Sequence, residues 1–177
     1  MYIPSHYKQN NLDEIRQFME RFSFGTIITA SNGLPVATHL PFVIESTGDN
    51  LKLLSHFARA NKQWEDISRQ QVLVIFSESH AYVSPAHYEQ VQNVPTWNYL
   101  AVHAYGEAQI IDDTESKNRL LEQTINTYEP GYLAQWKSLP ESFHEKMIKG
   151  IVGFEITVTD LQAKEKLSQN KKETEQK

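Results

Sequence analysis

One long segment of alternating side chains constrains the fold of this chain more than any other part of its sequence. In steps of two, residues 94–113 place Tyr99 and Tyr105 on one side and Leu100 and Val102 on the other. A period of two is that of an extended strand, and here both faces carry large side chains. We therefore expect a long strand that is covered on both faces.

The start and the irregularities of this strand are also encoded. Pro95 lacks the N–H group that a sheet ladder needs, so we expect it where the strand begins. Gly106 predicts a bulge or a close approach by another part of the chain. Thr96, Trp97 and Asn98 offer an indole beside hydrogen-bonding groups, which suits a planar polar heterocycle. Packing of these aromatic residues into a core is the alternative, and both interpretations stay open here.

Length and composition favour a single domain without covalent support. The chain has 177 residues, of which 40% are apolar, and a domain of this size buries roughly 70% of the surface that its unfolded chain exposes. It contains no cysteine, which excludes disulfides, thiolate metal sites and a cysteine nucleophile. The sequence has neither a signal-peptide pattern at its start nor an apolar run of membrane length. We therefore expect a cytoplasmic protein without a membrane partner.

The charge distribution argues against direct DNA binding. Seventeen basic and 22 acidic residues give a net charge of −5, and the basic residues are scattered except near the C-terminus. A double-stranded DNA binder usually needs a basic face, because neutralised phosphates supply much of the affinity. Direct DNA binding is therefore doubtful. Any recognition of a DNA operator by this chain is expected to be indirect or to need a second regulatory protein.

Short apolar segments between turn signals predict further strands. They are residues 26–30, 34–40, 51–56, 72–77, 81–84 and 151–158. The continuous apolar run at 72–77 predicts a strand that is buried on both faces. Six or seven strands joined mainly by short turns favour a mainly β fold, an antiparallel sheet closed into a barrel with flanking helices.

Helical spacing predicts four helices. Asn11 is a cap for a helix that begins at Leu12. The others are residues 58–67, a segment that starts at 113 or 114 and stops at 130–131, and residues 141–148. We expect residues 1–162 to form one domain and 163–177 to form a C-terminal tail, in which 166–170 dock and the remainder is mobile.

The histidines do not predict a metal site. His39, His56 and His103 lie on different predicted strands, so a three-histidine site is geometrically possible. However, none of the seven histidines has the spacing of a zinc enzyme. A serine hydrolase site is also not predicted, because the Gly-x-Ser-x-Gly motif is absent.

A set of donors follows the predicted strand at residues 51–56. Ser55, His56, Arg59 and Asn61 supply a hydroxyl, an imidazole, a guanidinium and a carboxamide. At the start of a helix these groups would lie beside unpaired N–H groups and the positive end of the helix dipole. This combination suits a phosphate. In the alternative interpretation Ser55 and Asn61 only cap the chain, and Arg59 is solvated.

Eight short motifs occur in order along nearly the whole chain. They are residues 2–4, 38–41, 56–64, 72–76, 81–85, 94–99, 151–156 and 166–170. Examples are Thr-His-Leu-Pro at 38–41 and Val-Pro-Thr-Trp-Asn-Tyr at 94–99. Together they resemble the PaiB family of FMN-binding negative transcriptional regulators. The sequence departs from the usual family pattern at residues 78–79 and 86–87.

The resemblance implies a fold, a cofactor and a partner. The fold is a split β-barrel similar to flavin reductases and pyridoxamine-phosphate oxidases, and the cofactor is FMN. The partner is a second copy of the chain, with the flavin near the subunit interface. The FMN-binding residues carried over from the family are Thr38, His39, Leu40, Ser55, His56, Arg59, Asn61, Trp97, Asn98, Lys166 and Gln169.

The resemblance also assigns roles to these residues. The segment with His56, Arg59 and Asn61 would hold the phosphate, and residues 38–40 would border the isoalloxazine ring. Trp97, with residues 166–170, would supply further contacts, from the same or the partner subunit.

Three functions stay open at this stage. The first is a regulatory flavoprotein, which is what the family name implies. The second is a flavin-dependent oxidoreductase that acts on a small molecule, and the third is a flavin-storing or empty barrel with an interaction role. Whether the chain is an enzyme is left undecided by the sequence.

Overall fold

The sheet is antiparallel throughout and contains eight strands within the part of the chain that is described. The computed structural model describes residues 1–31, 33–48, 50–88 and 92–169. The strands are β1 (Lys8–Gln9), β2 (Phe24–Ser31), β3 (Leu34–Pro41), β4 (Val43–Thr47), β5 (Asn50–Ala58), β6 (Gln71–Val83), β7 (Thr96–Ile111) and β8 (Ile151–Lys166). Their order is β3-β2-β6-β7-β8-β5-β4, and β1 also pairs with β8. The predicted mainly β, antiparallel architecture is confirmed.

Five α-helices flank the sheet. They are α1 (Leu12–Arg21), α2 (Trp64–Ile67), α3 (Thr114–Tyr128), α4 (Leu133–Ser138) and α5 (Glu141–Lys149). Short 3-10 turns occupy Ser5–Tyr7, Pro85–His87 and Pro130–Tyr132. Among the described residues, none of the helices combines the length and the apolar character that crossing a membrane requires.

The first helix forms as its sequence predicts. The Asn11 side chain accepts hydrogen bonds from the backbone N–H groups of Asp13 and Glu14 at 3.1 and 3.4 Å, and it donates to the Glu14 carboxylate at 2.9 Å. These bonds satisfy donors that the first helical turn leaves unpaired. Ile15 and Met19 on the inner face are buried, so α1 covers one side of the core.

The core lies inside the curved sheet and is built around aromatic rings. Phe42 contacts Phe76 edge to face, with ring centroids 5.6 Å apart. Phe57 stacks on Phe154 at 4.9 Å. All four rings are fully buried. They come from β5, β6, β8 and the residue between β3 and β4, so this cluster ties both halves of the sheet together.

The predicted burial of residues 72–77 on both faces is wrong for this chain. Val72, Val74 and Phe76 are fully buried, whereas Leu73 and Ile75 on the other face are only half-buried. One face of β6 lines the core and the other faces outwards. The segment also continues into the predicted strand at residues 81–84, with a register shift between Glu78 and His80.

Two other segments differ from the sequence predictions. The helix predicted at residues 58–67 is reduced to α2, because the chain first turns back with a hydrogen bond from Asn61 N–H to the Ala58 carbonyl. In addition, β8 continues to Lys166, so the boundary predicted after residue 162 falls inside a strand. The predicted tail beyond Gln169 lies outside the described residues.

A bulge separates the two halves of the β7–β8 ladder, as Gly106 predicts. Tyr105 pairs with Asp160, but Gly106 pairs with Val158, which leaves Thr159 as the extra residue. A Cβ atom on Gly106 would lie 2.4 Å from the Thr157 carbonyl oxygen. Glycine is therefore required here by the close approach of two backbones.

Replacing Gly106 by alanine tests this requirement. The added methyl group meets backbone that cannot rotate away, so we expect Gly106→Ala to lower the free energy of unfolding by at least about 2 kcal/mol. Gly131→Ala is the control, because nothing lies within 4 Å of its added Cβ atom. Urea unfolding measures the free energy of unfolding of both variants. Equal stability of the two variants would show that glycine is not required at position 106.

Candidate functional site

A buried glutamine fixes the turn after β5 against the β2–β3 hairpin. The Gln63 amide nitrogen lies 3.3 Å from the Ile27 carbonyl, 3.1 Å from the Val36 carbonyl and 3.2 Å from the Thr29 hydroxyl. Its amide oxygen accepts a hydrogen bond from the Thr38 hydroxyl at 2.6 Å. One side chain is thus hydrogen-bonded to both β2 and β3. The sequence analysis did not single out Gln63, although it lies within the motif at 56–64.

Two predicted site residues are held by this network. Thr38 Oγ1 donates to Gln63 and accepts a hydrogen bond from Asn61 Nδ2 at 2.9 Å. Asn61 Oδ1 accepts from the Gln63 backbone N–H at 3.0 Å. The orientation of the carboxamide is therefore set, because its oxygen already has a donor. The second N–H of Asn61 Nδ2 stays available to a ligand.

Ser55 and His56 follow one another on β5, so their side chains lie on opposite faces of this strand. Ser55 is buried, and its hydroxyl donates to the Pro41 carbonyl at 2.6 Å, which joins β5 to β3. Its single hydrogen is used there, so Ser55 supports the seam between these strands and does not donate to a phosphate. His56 is half-buried, and burial lowers the pKa of its imidazole. A neutral imidazole at pH 7 follows, with one donor and one acceptor.

Arg59 is neither an ordinary surface cation nor fully free for a ligand. Its Nε donates to the Lys149 carbonyl at 3.0 Å and its Nη2 to the Ile151 carbonyl at 3.2 Å. The guanidinium thereby joins the chain after β5 to the end of α5 and the start of β8. Its side chain is still 45% exposed, and three of its five N–H groups remain for an anion.

The other two residues of the predicted ring-binding segment point in different directions. The exposed His39 ring stacks on Phe24, with centroids 6.2 Å apart. Leu40 packs against the main core. The structure thus brings Thr38 and Asn61 together through Gln63, whereas His56 lies on β5 and Arg59 in the turn that follows it.

The remaining predicted residues form a second group around the start of β7. Trp97 is 51% exposed, and its ring packs edge to face against Tyr82 at 5.7 Å and beside His80 at 6.0 Å. Lys166 Nζ donates to the Trp97 carbonyl at 2.7 Å and also contacts the Thr96 hydroxyl. An exposed aromatic face therefore lies next to a cation.

The end of β8 is tied to β7 by side chains that the prediction had assigned to a ligand. Asn98 Oδ1 accepts a hydrogen bond from the Ser168 hydroxyl at 2.9 Å. Gln169 folds back on its own backbone, donating to the Glu165 carbonyl at 2.7 Å and accepting from the Leu167 N–H at 2.8 Å. Both side chains hold the chain after β8 in place.

The two groups lie at opposite ends of β8. His56 pairs with Gly153 near the start of this strand, whereas Lys166 pairs with Tyr99 at its end. Gly153 and Lys166 are separated by about 40 Å of strand path, measured along an extended chain. This strand path is much longer than a mononucleotide, so the two groups are far apart along the sheet.

Comparisons with known proteins assign the chain to a family. The model of the family described as "Putative FMN-binding domain" matches residues 1–160. The protein named "Protease synthase and sporulation protein PAI 2" of Bacillus subtilis is 42% identical, over 99% of this chain and 85% of that protein. The chain belongs to the FMN-binding PaiB family. This confirms the resemblance found in the sequence, and FMN is the cofactor of this PaiB-family chain.

Solved structures confirm the split-barrel fold. The flavocytochrome Anf3 from Azotobacter vinelandii superposes with a TM-score of 0.73 at 17% identity, over 93% of this chain and 72% of that chain. The protein named "Putative Pyridoxamine 5'-phosphate oxidase" from Listeria innocua superposes with a TM-score of 0.53 at 14% identity, over 85% of this chain and 95% of that chain. At these identities the likeness concerns the fold alone.

The donor set at the β3–β5 end of the PaiB-family chain fits a phosphorylated planar molecule. Arg59 retains unused N–H groups for an anion, and Asn61 and the neutral His56 offer directed hydrogen bonds. The cavity of about 210 Å³ between α1, the β4–β5 hairpin and β8 contains none of the predicted site residues. Within the described residues, no three His, Asp or Glu side chains are grouped so that they could hold a metal ion.

Replacing Gln63 by glutamate tests whether its network holds the site. A carboxylate at this buried position would face the carbonyls of Ile27 and Val36, which repel it, whereas the protonated acid can donate to one of them. The pKa of the new carboxyl is therefore raised by folding. We expect Gln63→Glu to be close to wild type near pH 4 and to lose about 2–4 kcal/mol of unfolding free energy as the pH rises to 8.

Urea unfolding at several pH values measures this loss. Gln17→Glu is the matched control, because Gln17 is exposed on α1. If Gln63→Glu loses the same unfolding free energy at pH 4 and at pH 8, the hydrogen bonds from the Gln63 amide nitrogen to these carbonyls do not stabilise the fold.

Proposed function

We propose that this protein is a homodimeric FMN-binding regulator of the PaiB type that represses gene expression indirectly. In the proposed dimer each flavin lies between two protomers. One protomer supplies the β3–β5 end with Thr38, His56, Arg59 and Asn61, and its partner supplies the exposed Trp97 face. The proposal places the protein in the cytoplasm, where it can act on transcription.

The observation that carries the shared site is the separation of the two residue groups along β8. We infer from this separation that the two groups, if both contact one flavin, come from different copies of the chain. The outer face of the sheet supports pairing of copies, because the alternating side chains of β7 on that face stay only half-buried in one protomer. Half-buried aromatic residues are typical of surfaces that become covered on association.

The residues at the β3–β5 end would bind and orient the cofactor. Arg59 would hold the phosphate through its unused N–H groups, and Thr38 and Asn61 would border the ring. Bound FMN supplies one- and two-electron redox chemistry. Lys166 would contribute through its hydrogen bond to the Trp97 carbonyl, because this bond fixes the backbone that carries the indole.

Mixed dimers test whether the site is shared. Arg59→Met removes the phosphate donor and keeps the aliphatic stem over Trp64, whose ring lies 6.0 Å from the guanidinium carbon. Trp97→Ala removes the aromatic face. Each variant alone is expected to bind FMN about ten- to a hundredfold more weakly. A dimer with one copy of each variant should regain tight binding at one of its two sites, because that site receives Arg59 and Trp97 from intact halves.

Two differently tagged copies allow the mixed dimer to be purified, and flavin fluorescence gives the number of tight sites. Thermal unfolding of each variant verifies that the fold is retained. A mixed dimer without any tight site would place both residues in a single-protomer site. Sedimentation of wild type as a monomer at micromolar concentration would also overturn the proposal.

Three observations support indirect repression. The related Bacillus subtilis protein is named for protease synthesis and sporulation, which suggests a regulatory role for this chain as well. The chain is acidic, with a net charge of −5. Its short helix pair α4–α5 offers no basic reading surface, because α5 carries Glu141 and Glu145 as well as Lys146 and Lys149. Lys149 is moreover paired with Glu145 at 3.3 Å.

DNA binding distinguishes indirect from direct repression. We expect the purified FMN-loaded protein to bind DNA only weakly, without sequence preference and with strong dependence on salt, because no basic face neutralises phosphates. Fluorescence anisotropy at physiological salt measures the affinity for a duplex from the region upstream of the protein's own gene and the affinity for a scrambled duplex. Nanomolar binding to the former alone, without a second protein, would show that the chain reads an operator itself.

A flavin-dependent oxidoreductase is the second candidate function. The observation in its favour is the exposed Trp97 indole beside the exposed Tyr82, because the indole offers a flat face to a planar substrate next to the proposed flavin. The two candidates differ in their kinetics. An oxidoreductase would cycle its flavin many times with a reductant and a small-molecule acceptor, whereas a regulator needs only one flavin state per binding event.

A further inference from the structure

A buried lysine lies beside the arginine of the proposed phosphate site. The side chain of Lys117, in the second turn of α3, is only 5% exposed, and its Nζ lies 3.1 Å from Asp112 Oδ1. Arg59 Nη2 lies 3.8 Å from the same oxygen. The aspartate itself is 80% exposed. Two cations, one of them buried, thus share a single carboxylate oxygen at the surface.

This arrangement leaves positive charge unbalanced. Asp112 contributes one negative charge against the two positive charges of Arg59 and Lys117. An ammonium has three N–H donors, and one of them is satisfied by Asp112. A buried charge is costly unless it is paired and hydrogen-bonded. A ligand with two negative charges and several acceptor oxygens would balance both cations and accept hydrogen bonds from the remaining N–H groups of Lys117.

We propose that Lys117 and Arg59 together bind the phosphate of FMN, and that Asp112 occupies this position until the phosphate displaces it. The inference rests on the proposed function and adds to it a second phosphate-binding cation and an internal competitor. Neither Lys117 nor Asp112 belongs to any of the eight motifs of the family. The resemblance to the family therefore assigns no role to either residue.

The position of Asp112 makes the exchange feasible. It lies between the last residue of β7 and Asp113, whose carboxylate caps α3 by accepting from the Ser116 N–H at 2.8 Å. The helix cap therefore does not depend on Asp112. Because its carboxylate is mostly in water already, its release costs little desolvation. A phosphate monoester carries about 1.5 to 2 negative charges at pH 7, which matches the two cations better than one carboxylate does.

Titration of the full-length protein with FMN and with riboflavin tests the role of Lys117. Riboflavin lacks the phosphate, so it reports on the ring site alone. We expect Lys117→Met to weaken FMN binding about ten- to a hundredfold and to leave riboflavin binding unchanged. The variant should fold, since a buried charge replaced by an apolar side chain of similar volume is often tolerated.

Arg119→Gln is the matched control for the loss of one positive charge from α3. Arg119 is 66% exposed and paired with Glu115 at 3.4 Å. FMN binding should be unchanged in this variant. If Arg119→Gln and Lys117→Met weaken FMN binding equally, the effect is one of net charge, and the assigned phosphate contact is wrong.

Asp112→Asn tests the competitor and does not depend on the outcome for Lys117. Without the carboxylate, the phosphate no longer has to displace a bound anion, so FMN should bind several-fold more tightly and riboflavin as before. The cofactor-free variant should melt a few degrees lower than wild type, because Lys117 loses its counter-ion, and FMN should restore the melting temperature. Weaker FMN binding by Asp112→Asn would overturn the exchange.

The outcomes separate this inference from the function on which it rests. If wild type binds neither FMN nor riboflavin, the proposed function fails. If wild type prefers FMN over riboflavin and Lys117→Met does so to the same degree, the flavin site stands, and Lys117 and Asp112 form only a structural ion pair.

Discussion

The pairing of β7 with β8 is the constraint on which the rest of the structure depends. Both strands have 16 residues, and their ladder runs from Tyr99 opposite Lys166 to Ile111 opposite Gly153. The ladder bends where Gly106 lets the backbone of Thr157 approach. Since β5 and β6 add to the two sides of this ladder, its length also sets the distance between the two groups of predicted site residues.

Polar side chains, more than helices, hold the ends of the barrel in place. Gln63 connects the turn after β5 to both strands of the β2–β3 hairpin. Ser55 joins β5 to β3, and Arg59 joins β5 to the start of β8. Buried polar groups with satisfied hydrogen bonds specify one arrangement strongly. The same bonds leave defined N–H groups of Asn61 and Arg59 unused, so in our proposal the residues that support the barrel also bind the ligand.

Charge is distributed unevenly in this acidic protein. The basic residues of the sequence do not predict a basic face, yet Arg59 and Lys117 both lie beside the carboxylate of Asp112. In our proposal this local excess of positive charge receives the phosphate of the cofactor, while the net charge of −5 opposes the binding of a polyanion such as a DNA duplex.

The sequence by itself determined the local elements, the family and the cofactor. The cap at Asn11, the bulge at Gly106 and the strands follow from periodicity and backbone chemistry, which act within a few residues. Only the tertiary structure decided that residues 58–63 turn instead of forming a helix, because Gln63 finds its partners on β2 and β3. It also decided that Ser55 supports a seam, that Arg59 clamps β8, and that Lys117 lies beside Arg59. Each of these depends on residues far apart in the chain, and no local pattern records such distances.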